Sequence, residues 1–129
     1  MKQLILLVAV ALTFALASSF ARAEESKKTL YHVVSFKFKP DADPEQIKAA
    51  EAAFVELKEK IPTITSLNWG TNVSPEKRNK GFTHCFILTF ASEKDRDDYL
   101  PHPAHKAFGK VLGPIVQDVF VIDFWSQGQ

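Results

Sequence analysis

Cysteine is nearly absent from this sequence: Cys85 is the single thiol in 129 residues. One thiol cannot close a disulfide within the chain, and it cannot supply a multi-cysteine zinc or iron–sulfur site. Net charge is also nearly absent, because 16 lysines and arginines offset 15 acidic residues to give a formal charge of +1. This balance gives no electrostatic reason to bind a polyphosphate backbone, so we expect no nucleic-acid partner. The length excludes a large multidomain enzyme and favours one domain.

The familiar short catalytic motifs are missing as well. The sequence has no glycine-rich phosphate loop, no G-x-S-x-G nucleophile elbow and no H-E-x-x-H zinc motif. His102 and His105 have the three-residue spacing of some metal sites, but the sequence fixes no third ligand, so we expect no metal. We also expect no cofactor. The chain therefore either performs cofactor-free acid–base chemistry or acts by binding.

A long hydrophobic run occurs only at the N-terminus. Residues 4–17 carry no charge, Lys2 precedes them, and Ala21-Arg22-Ala23 has the pattern of a signal-peptidase site. This three-part pattern predicts a secretory signal peptide over residues 1–23, export to the periplasm or the extracellular space, and no membrane association after cleavage. An uncleaved anchor is the alternative, although the run is shorter than the roughly 20 residues that span a bilayer. Residues 24–28 are expected to form a flexible leader.

The remaining residues, 29–126, alternate between strand and helix patterns. Segments rich in β-branched and aromatic residues predict strands at 30–39, 63–73, 82–90 and 116–125. Apolar residues at helical spacing predict a helix at 44–61, and a short helix at 93–100 precedes another at 103–112. The charged run 93–98 is interpreted as a solvated helix face. The order β-α-β-β-α-β predicts an α+β, ferredoxin-like fold, in which a four-stranded antiparallel sheet has its helices on one face.

The predicted sheet is apolar on both faces. The apolar residues opposite the helices are Cys85, Ile87, Phe120, Ile122 and Phe124. In water they would form a large exposed apolar patch. A second copy packed sheet to sheet would cover this patch, so we expect a homodimer through the outer sheet face.

Five polar residues are predicted to lie on the helix-facing side of the sheet. His32 and His84 begin the apolar faces of the first and third strands, and Asp123 lies on the helix-facing side of the last strand. Tyr99 ends the short helix, and His105 shares an apolar face in the next helix. A few convergent polar groups in apolar surroundings are typical of a small-molecule pocket. Each residue also has a structural interpretation, because buried polar side chains are usually satisfied core residues.

Four segments of the sequence resemble the stress-responsive A/B-barrel (Dabb) family. They are H-V-V-S-F-K-F at 32–38, W-G-x-N-V-S-P at 69–75, G-F-T-H-C-F-I-L-T-F at 81–90 and Y-L-x-H-P-A-H-x-x-F at 99–108. The resemblance extends over nearly all of residues 29–126, which we assign to this domain. It implies a dimeric α+β barrel, in agreement with the apolar patch.

The resemblance also implies roles for particular residues. A plant polyketide cyclase of this fold closes its substrate by aldol condensation without a cofactor, which implies acid–base roles for His105 and Tyr99, with Asp123 supporting His105. We expect the ligand pocket to be lined by His32, Val34, Phe36, Phe54, His84, Phe86, Phe108 and Val121. The sequence departs from that cyclase at Phe54, which replaces a pocket tyrosine, and in its signal peptide.

Two functional interpretations remain open. One is an exported homodimer that binds a small apolar or aromatic molecule or serves a stress-related role without catalysis. The other is a cofactor-free lyase, cyclase or isomerase. In that second interpretation His105 is the base, since the start of its helix favours neutral imidazole. Asp123 would orient the His105 ring and Tyr99 would donate a hydrogen bond to a substrate carbonyl group.

Overall fold

The computed structural model of the chain describes residues 28–127. The strands are β1 (Leu30–Phe38), β2 (Ser66–Thr71), β3 (His84–Phe90) and β4 (Val116–Trp125), and the helices are α1 (Pro44–Lys60), α2 (Glu93–Tyr99) and α3 (Pro103–Leu112). The predicted signal peptide, residues 1–23, and residues 24–27 of the predicted leader lie outside the described part of the chain. Within residues 28–127, no helix has the length and hydropathy needed to cross a membrane.

The four strands form one antiparallel sheet in the order β2-β3-β1-β4. This is the predicted ferredoxin-like α+β plan, and the crossover between β3 and β4 is divided into α2 and α3. β3 begins later than predicted because residues 72–83 form a connecting turn. In this turn Gly81 has a φ of +84°, and the Phe82 N–H donates to the Asn79 carbonyl oxygen at 2.8 Å.

Local signals set where the helices begin. The Asp43 carboxylate accepts a hydrogen bond from the Glu45 backbone N–H at 2.9 Å, and Pro44 is the first residue of α1. Before α3, the Nδ1 atom of His102 accepts a hydrogen bond from the Ala104 N–H at 3.0 Å, a cap that the sequence pattern did not predict. Only residues 100–102 separate α2 from α3, so the last residue of α2 lies close to the first turn of α3.

The apolar face of α1 packs on the sheet. Phe54 of α1 stacks on Phe86 of β3 with ring centroids 4.0 Å apart, and it meets Phe108 of α3 edge to face at 4.9 Å. All three side chains are buried. Each burial of this kind contributes roughly 1.5–3 kcal/mol to stability. This aromatic cluster holds α1 and α3 against the sheet and forms the base of the space between them.

The edge strand β4 is apolar on both faces, and both faces are partly open. On the outer face, Phe120, Ile122 and Phe124 are 51%, 48% and 47% exposed, which confirms their predicted orientation away from the helices. On the helix-facing side, Val119 and Val121 are 43% and 50% exposed. The sheet edge is therefore open to solvent on the side where the polar residues were predicted to converge.

Candidate functional site

A cavity of about 550 Å³ lies between the helix-facing side of the sheet and the helices α1, α2 and α3. Its apolar walls are Val34, Phe36, Phe54, Phe108, Leu112, Val119 and Val121, and its polar walls include His32, Arg96, Tyr99, His105 and Asp123. The register of β1 with β4 separates the two kinds of residue, since Phe36 pairs with Val119, Val34 with Val121 and His32 with Asp123. The cavity is thus apolar at one end and polar at the other, and its volume suits a small organic ligand.

A chain of hydrogen bonds joins three residues at the polar end. The Nδ1 atom of His32 lies 2.6 Å from Oδ1 of Asp123, and Nη1 of Arg96 donates to Oδ2 of the same carboxylate at 2.7 Å. His32 is 5% exposed. An ionised carboxylate only accepts hydrogen bonds, so Nδ1 of His32 carries the proton. The hydrogen bonds to Asp123 and Asp97 raise the pKa of Arg96 above its usual value, which keeps the guanidinium charged.

His105 is fixed by the backbone rather than by a carboxylate. Its Nδ1–H group donates to the Leu100 carbonyl oxygen at 2.8 Å. The predicted support of His105 by Asp123 is therefore wrong, because both Asp123 oxygens bind His32 and Arg96. The reason is geometric: Asp123 lies directly opposite His32 on the neighbouring strand, where side chains meet, whereas His105 in the first turn of α3 reaches back to the end of α2.

Tyr99 is a fully buried residue between the two histidines. Its ring centroid lies 5.6 Å from that of His32 and 4.4 Å from that of His105. Its hydroxyl group is buried and has no hydrogen-bond partner among residues 28–127. Burial raises the pKa of the Tyr99 phenol well above its usual value, so the hydroxyl keeps its proton, although its oxygen has no surface open to the cavity.

His84, a predicted pocket residue, lies elsewhere. Its Nε2 atom is 2.8 Å from Oε1 of Glu51, its Nδ1 atom is 2.8 Å from Oγ1 of Thr83, and it is absent from the walls of the 550 Å³ cavity. His32 lies near the start of β1 and His84 is the first residue of β3, but β1 and β3 are antiparallel, so the two strand starts lie at opposite ends of the sheet. His84 accordingly pairs with Phe36 and not with His32. The prediction that it lines the pocket is wrong.

Phe86 is the second predicted pocket residue that does not line this cavity. It is buried beneath Phe54, between that ring and Trp69, which stacks on it at 5.3 Å. The cavity does bring together the remaining predicted site residues, which are His32, Val34, Phe36, Phe54, Tyr99, His105, Phe108, Val121 and Asp123.

Arg96 was missed because the run 93–98 was interpreted as a solvated helix face. Most of that run is exposed, but the Arg96 side chain is only 21% exposed and points to Asp123. A signal was present in the spacing: Arg96 lies three residues before Tyr99 and therefore on the same side of α2. Within residues 28–127, no group of three or more His, Cys, Asp or Glu side chains is placed to hold a metal ion.

Comparison with known proteins identifies the family. The family model described as Stress responsive A/B Barrel Domain matches residues 30–126, so the chain belongs to the stress-responsive A/B-barrel (Dabb) family. The stress-response A/B barrel domain-containing protein HS1 of Arabidopsis thaliana is 34% identical over 101 residues, which cover 78% of this chain and 93% of that protein. The olivetolic acid cyclase of Cannabis sativa is 30% identical over 93 residues, covering 72% of this chain and 92% of the cyclase.

Solved structures share the fold. A hydroxynitrile lyase from Passiflora edulis superposes with a TM-score of 0.73 at 26% identity, covering 80% of this chain and 97% of the lyase. A dimeric protein of ferredoxin-like fold from Bacteroides fragilis superposes with a TM-score of 0.61 at 26% identity, covering 74% of this chain and 94% of that one. The ferredoxin-like fold predicted from the sequence is thus shared with relatives of which at least one is dimeric.

Proposed function

We propose that the 550 Å³ cavity binds a small, largely apolar organic molecule that carries one carbonyl or hydroxyl group. The observation on which the proposal rests is the cavity itself, which has apolar walls at one end and His32, Arg96 and His105 at the other. Two relatives, named as an olivetolic acid cyclase and a hydroxynitrile lyase, support a small-molecule role.

Acetophenone is a suitable probe, because its ring fits the apolar end and its one oxygen fits the polar end. We expect saturable binding to the wild-type chain by isothermal calorimetry. Val121→Trp fills the cavity and should weaken binding at least tenfold, whereas Val111→Trp on the exposed side of α3 should leave it unchanged. Equal affinity in wild type and Val121→Trp, or no binding by the wild type, would contradict the proposal.

Cofactor-free acid–base catalysis is the second candidate function. The observation that favours it is that His32 and His105 both use Nδ1 for a hydrogen bond, to Asp123 and to the Leu100 carbonyl group. In neutral imidazole the other nitrogen, Nε2, is then the unprotonated one. A histidine held in one tautomer with Nε2 available is a competent general base.

We also propose that the protein acts as a homodimer through the outer sheet face. The half-exposed Phe120, Ile122 and Phe124 support this, because a partner sheet would bury them. A second cavity of about 710 Å³ opens on the same face, with Cys85 and Ile87 among its walls, as expected where a partner is needed to complete the packing. The dimeric relative from Bacteroides fragilis supports the same assembly.

Export is a further proposal, and it rests on the sequence pattern of residues 1–23. The mature chain is expected to begin at Glu24 in the periplasm or outside the cell. Mass spectrometry of the protein purified from its native cell tests this directly. An intact Met1 terminus on cytosolic protein would contradict it.

A further inference from the structure

A cavity that only binds an apolar molecule does not require the hydrogen bonds that link Arg96, Asp123 and His32. Both charged side chains are about four-fifths buried, at 21% and 22% exposure. Charges removed from water cost free energy, and apolar residues of similar volume often stabilise a protein as well or better. The position of these charges at the wall of a cavity indicates a role in chemistry.

The two histidines of the cavity differ in what holds their Nδ1–H groups. His105 donates to a neutral carbonyl oxygen, whereas His32 is paired with the carboxylate of Asp123. Only the carboxylate has a full negative charge, so it stabilises the imidazolium ion that forms when a histidine accepts a proton. On this criterion His32, and not the His105 expected from the sequence, is the better base.

The surroundings hold His32 in one orientation. Its ring is packed edge to face against Phe90 at 6.3 Å and against Tyr99 at 5.6 Å. Arg96 occupies Oδ2 of Asp123 and so keeps Oδ1 directed at His32. The Nε2 atom of His32 makes no hydrogen bond within residues 28–127, and it retains some accessible surface. His32 lines the cavity, and its Nε2 atom is therefore free to accept a proton.

We propose that His32 is the catalytic base of this cavity, with Asp123 and Arg96 as positioning residues, and that it removes a proton from the carbon next to a ligand carbonyl group. The inference rests on the proposed binding function. The C–H bond breaks, its proton moves to Nε2 of His32, and the electron pair moves to the carbonyl oxygen to give an enolate. The proton on Nε2 exchanges with solvent, and transfer of a solvent-derived proton from Nε2 back to the carbon completes the cycle without an oxidant or a cofactor.

The tautomer of His32 can be measured without any ligand. Long-range ¹H–¹⁵N correlation spectra of the full-length protein separate the two neutral tautomers of its four histidines, and His32→Gln assigns the signal. We expect His32 as the Nδ1–H tautomer in wild type, a mixture in Asp123→Asn and no change in Asp98→Asn, an exposed residue of the same helix as Arg96. An Nε2–H tautomer of His32 in the wild type would overturn the proposal, because His32 would then have no unprotonated nitrogen on the side away from Asp123.

Deuterium exchange of the methyl protons of acetophenone in D₂O measures the proton transfer itself. A positioned base contributes about 10²–10⁴-fold, so His32→Gln and Asp123→Asn should slow exchange at saturation at least 100-fold. The KM for acetophenone should change less than threefold, since neither variant alters the apolar walls. Arg96→Lys should retain more activity than Arg96→Gln, and Asp98→Asn should match wild type. If His32→Gln fails to fold, Asp123→Asn still tests the proposal, because asparagine has the same shape as aspartate.

The outcomes separate this inference from the proposed function. Exchange in His32→Gln within threefold of wild type would overturn His32 as the base. Wild type that binds acetophenone but does not accelerate its exchange would also overturn the inference, while the binding proposal would stand. Failure of the wild type to bind acetophenone would overturn both.

Discussion

Tyr99 has a buried hydroxyl group without a hydrogen-bond partner among residues 28–127. Natural proteins pair nearly all of their buried polar groups, and the exceptions need an explanation. The Tyr99 hydroxyl is such an exception among residues 28–127, and it lies between two histidines at the wall of a cavity. Phenylalanine at this position would remove the unpaired group, so the hydroxyl does not stabilise the fold.

Removing that hydroxyl should stabilise the protein. Tyr99→Phe eliminates an unpaired buried donor, so the free energy of unfolding should rise by about 1–3 kcal/mol. Urea denaturation followed by circular dichroism measures it. Tyr31→Phe, which changes a partly exposed tyrosine stacked on Phe124, serves as the control. A Tyr99→Phe variant less stable than wild type would indicate that the hydroxyl has a structural partner.

The burial of Tyr99 also determines how the free energy of unfolding changes with pH above neutrality. Burial raises the pKa of folded Tyr99, whereas in the unfolded chain it is near the ordinary value of about 10. Above that pH the unfolded chain loses a proton that the folded protein keeps, so the free energy of unfolding falls by up to about 1.4 kcal/mol per pH unit. The stability advantage of Tyr99→Phe over wild type should therefore widen between pH 9 and pH 11. A constant difference over that range would contradict the burial of a neutral phenol.

At the scale of the elements, the sequence predicted the regular structure more closely than the site. β4 and α3 have the predicted bounds, because apolar spacing, Pro103 and the following Gly113 mark where they begin and end. These signals are local and act through backbone geometry. The face of β4 that contains Asp123 was also predicted, since side chains alternate along a strand.

Pairing between elements could not be predicted in the same way. Which end of the sheet His84 occupies depends on the antiparallel direction of β1 and β3, and the partner of Asp123 depends on the register of β4 with β1. A shift of two residues would keep every side chain on its face yet give Asp123 another neighbour. The contact of Arg96 with Asp123 could not be predicted, because Arg96 lies within a run of charged residues. Its spacing from Tyr99 nevertheless places it on the cavity side of α2.

The turn before β3 gives a prediction at this scale. Gly81 has a φ of +84°, and a Cβ atom there would lie 2.8 Å from Cε of Lys37. The lysine end can move, so the backbone conformation should dominate, and Gly81→Ala should lower the free energy of unfolding by about 1–2 kcal/mol. Gly70→Ala is the control, since its Cβ would meet no atom within 4 Å. Equal stability of the two variants in urea would contradict the strained conformation of the turn.

At the scale of the whole molecule, the two faces of the sheet have different tasks. The helix-facing side holds the cavity that we propose binds a ligand, and the outer face presents the apolar residues of β4. Phe120→Glu would place a charge against the apolar surface of a partner, which is costly unless the charge is paired. We expect this variant to be monomeric or insoluble by light scattering, whereas Val55→Glu on the exposed side of α1 should remain dimeric. A stable wild-type monomer at micromolar concentration would contradict the homodimer.

We propose above all that a ligand binds on the helix-facing side of the sheet. Intermolecular nuclear Overhauser effects between acetophenone and methyl-labelled protein test it directly, because neighbouring residues of the same strands report on opposite faces. We expect cross-peaks to the methyl groups of Val34 and Val121, which line the cavity. Cross-peaks confined to Val33 and Ile122, which pair with each other on the outer face, would contradict it.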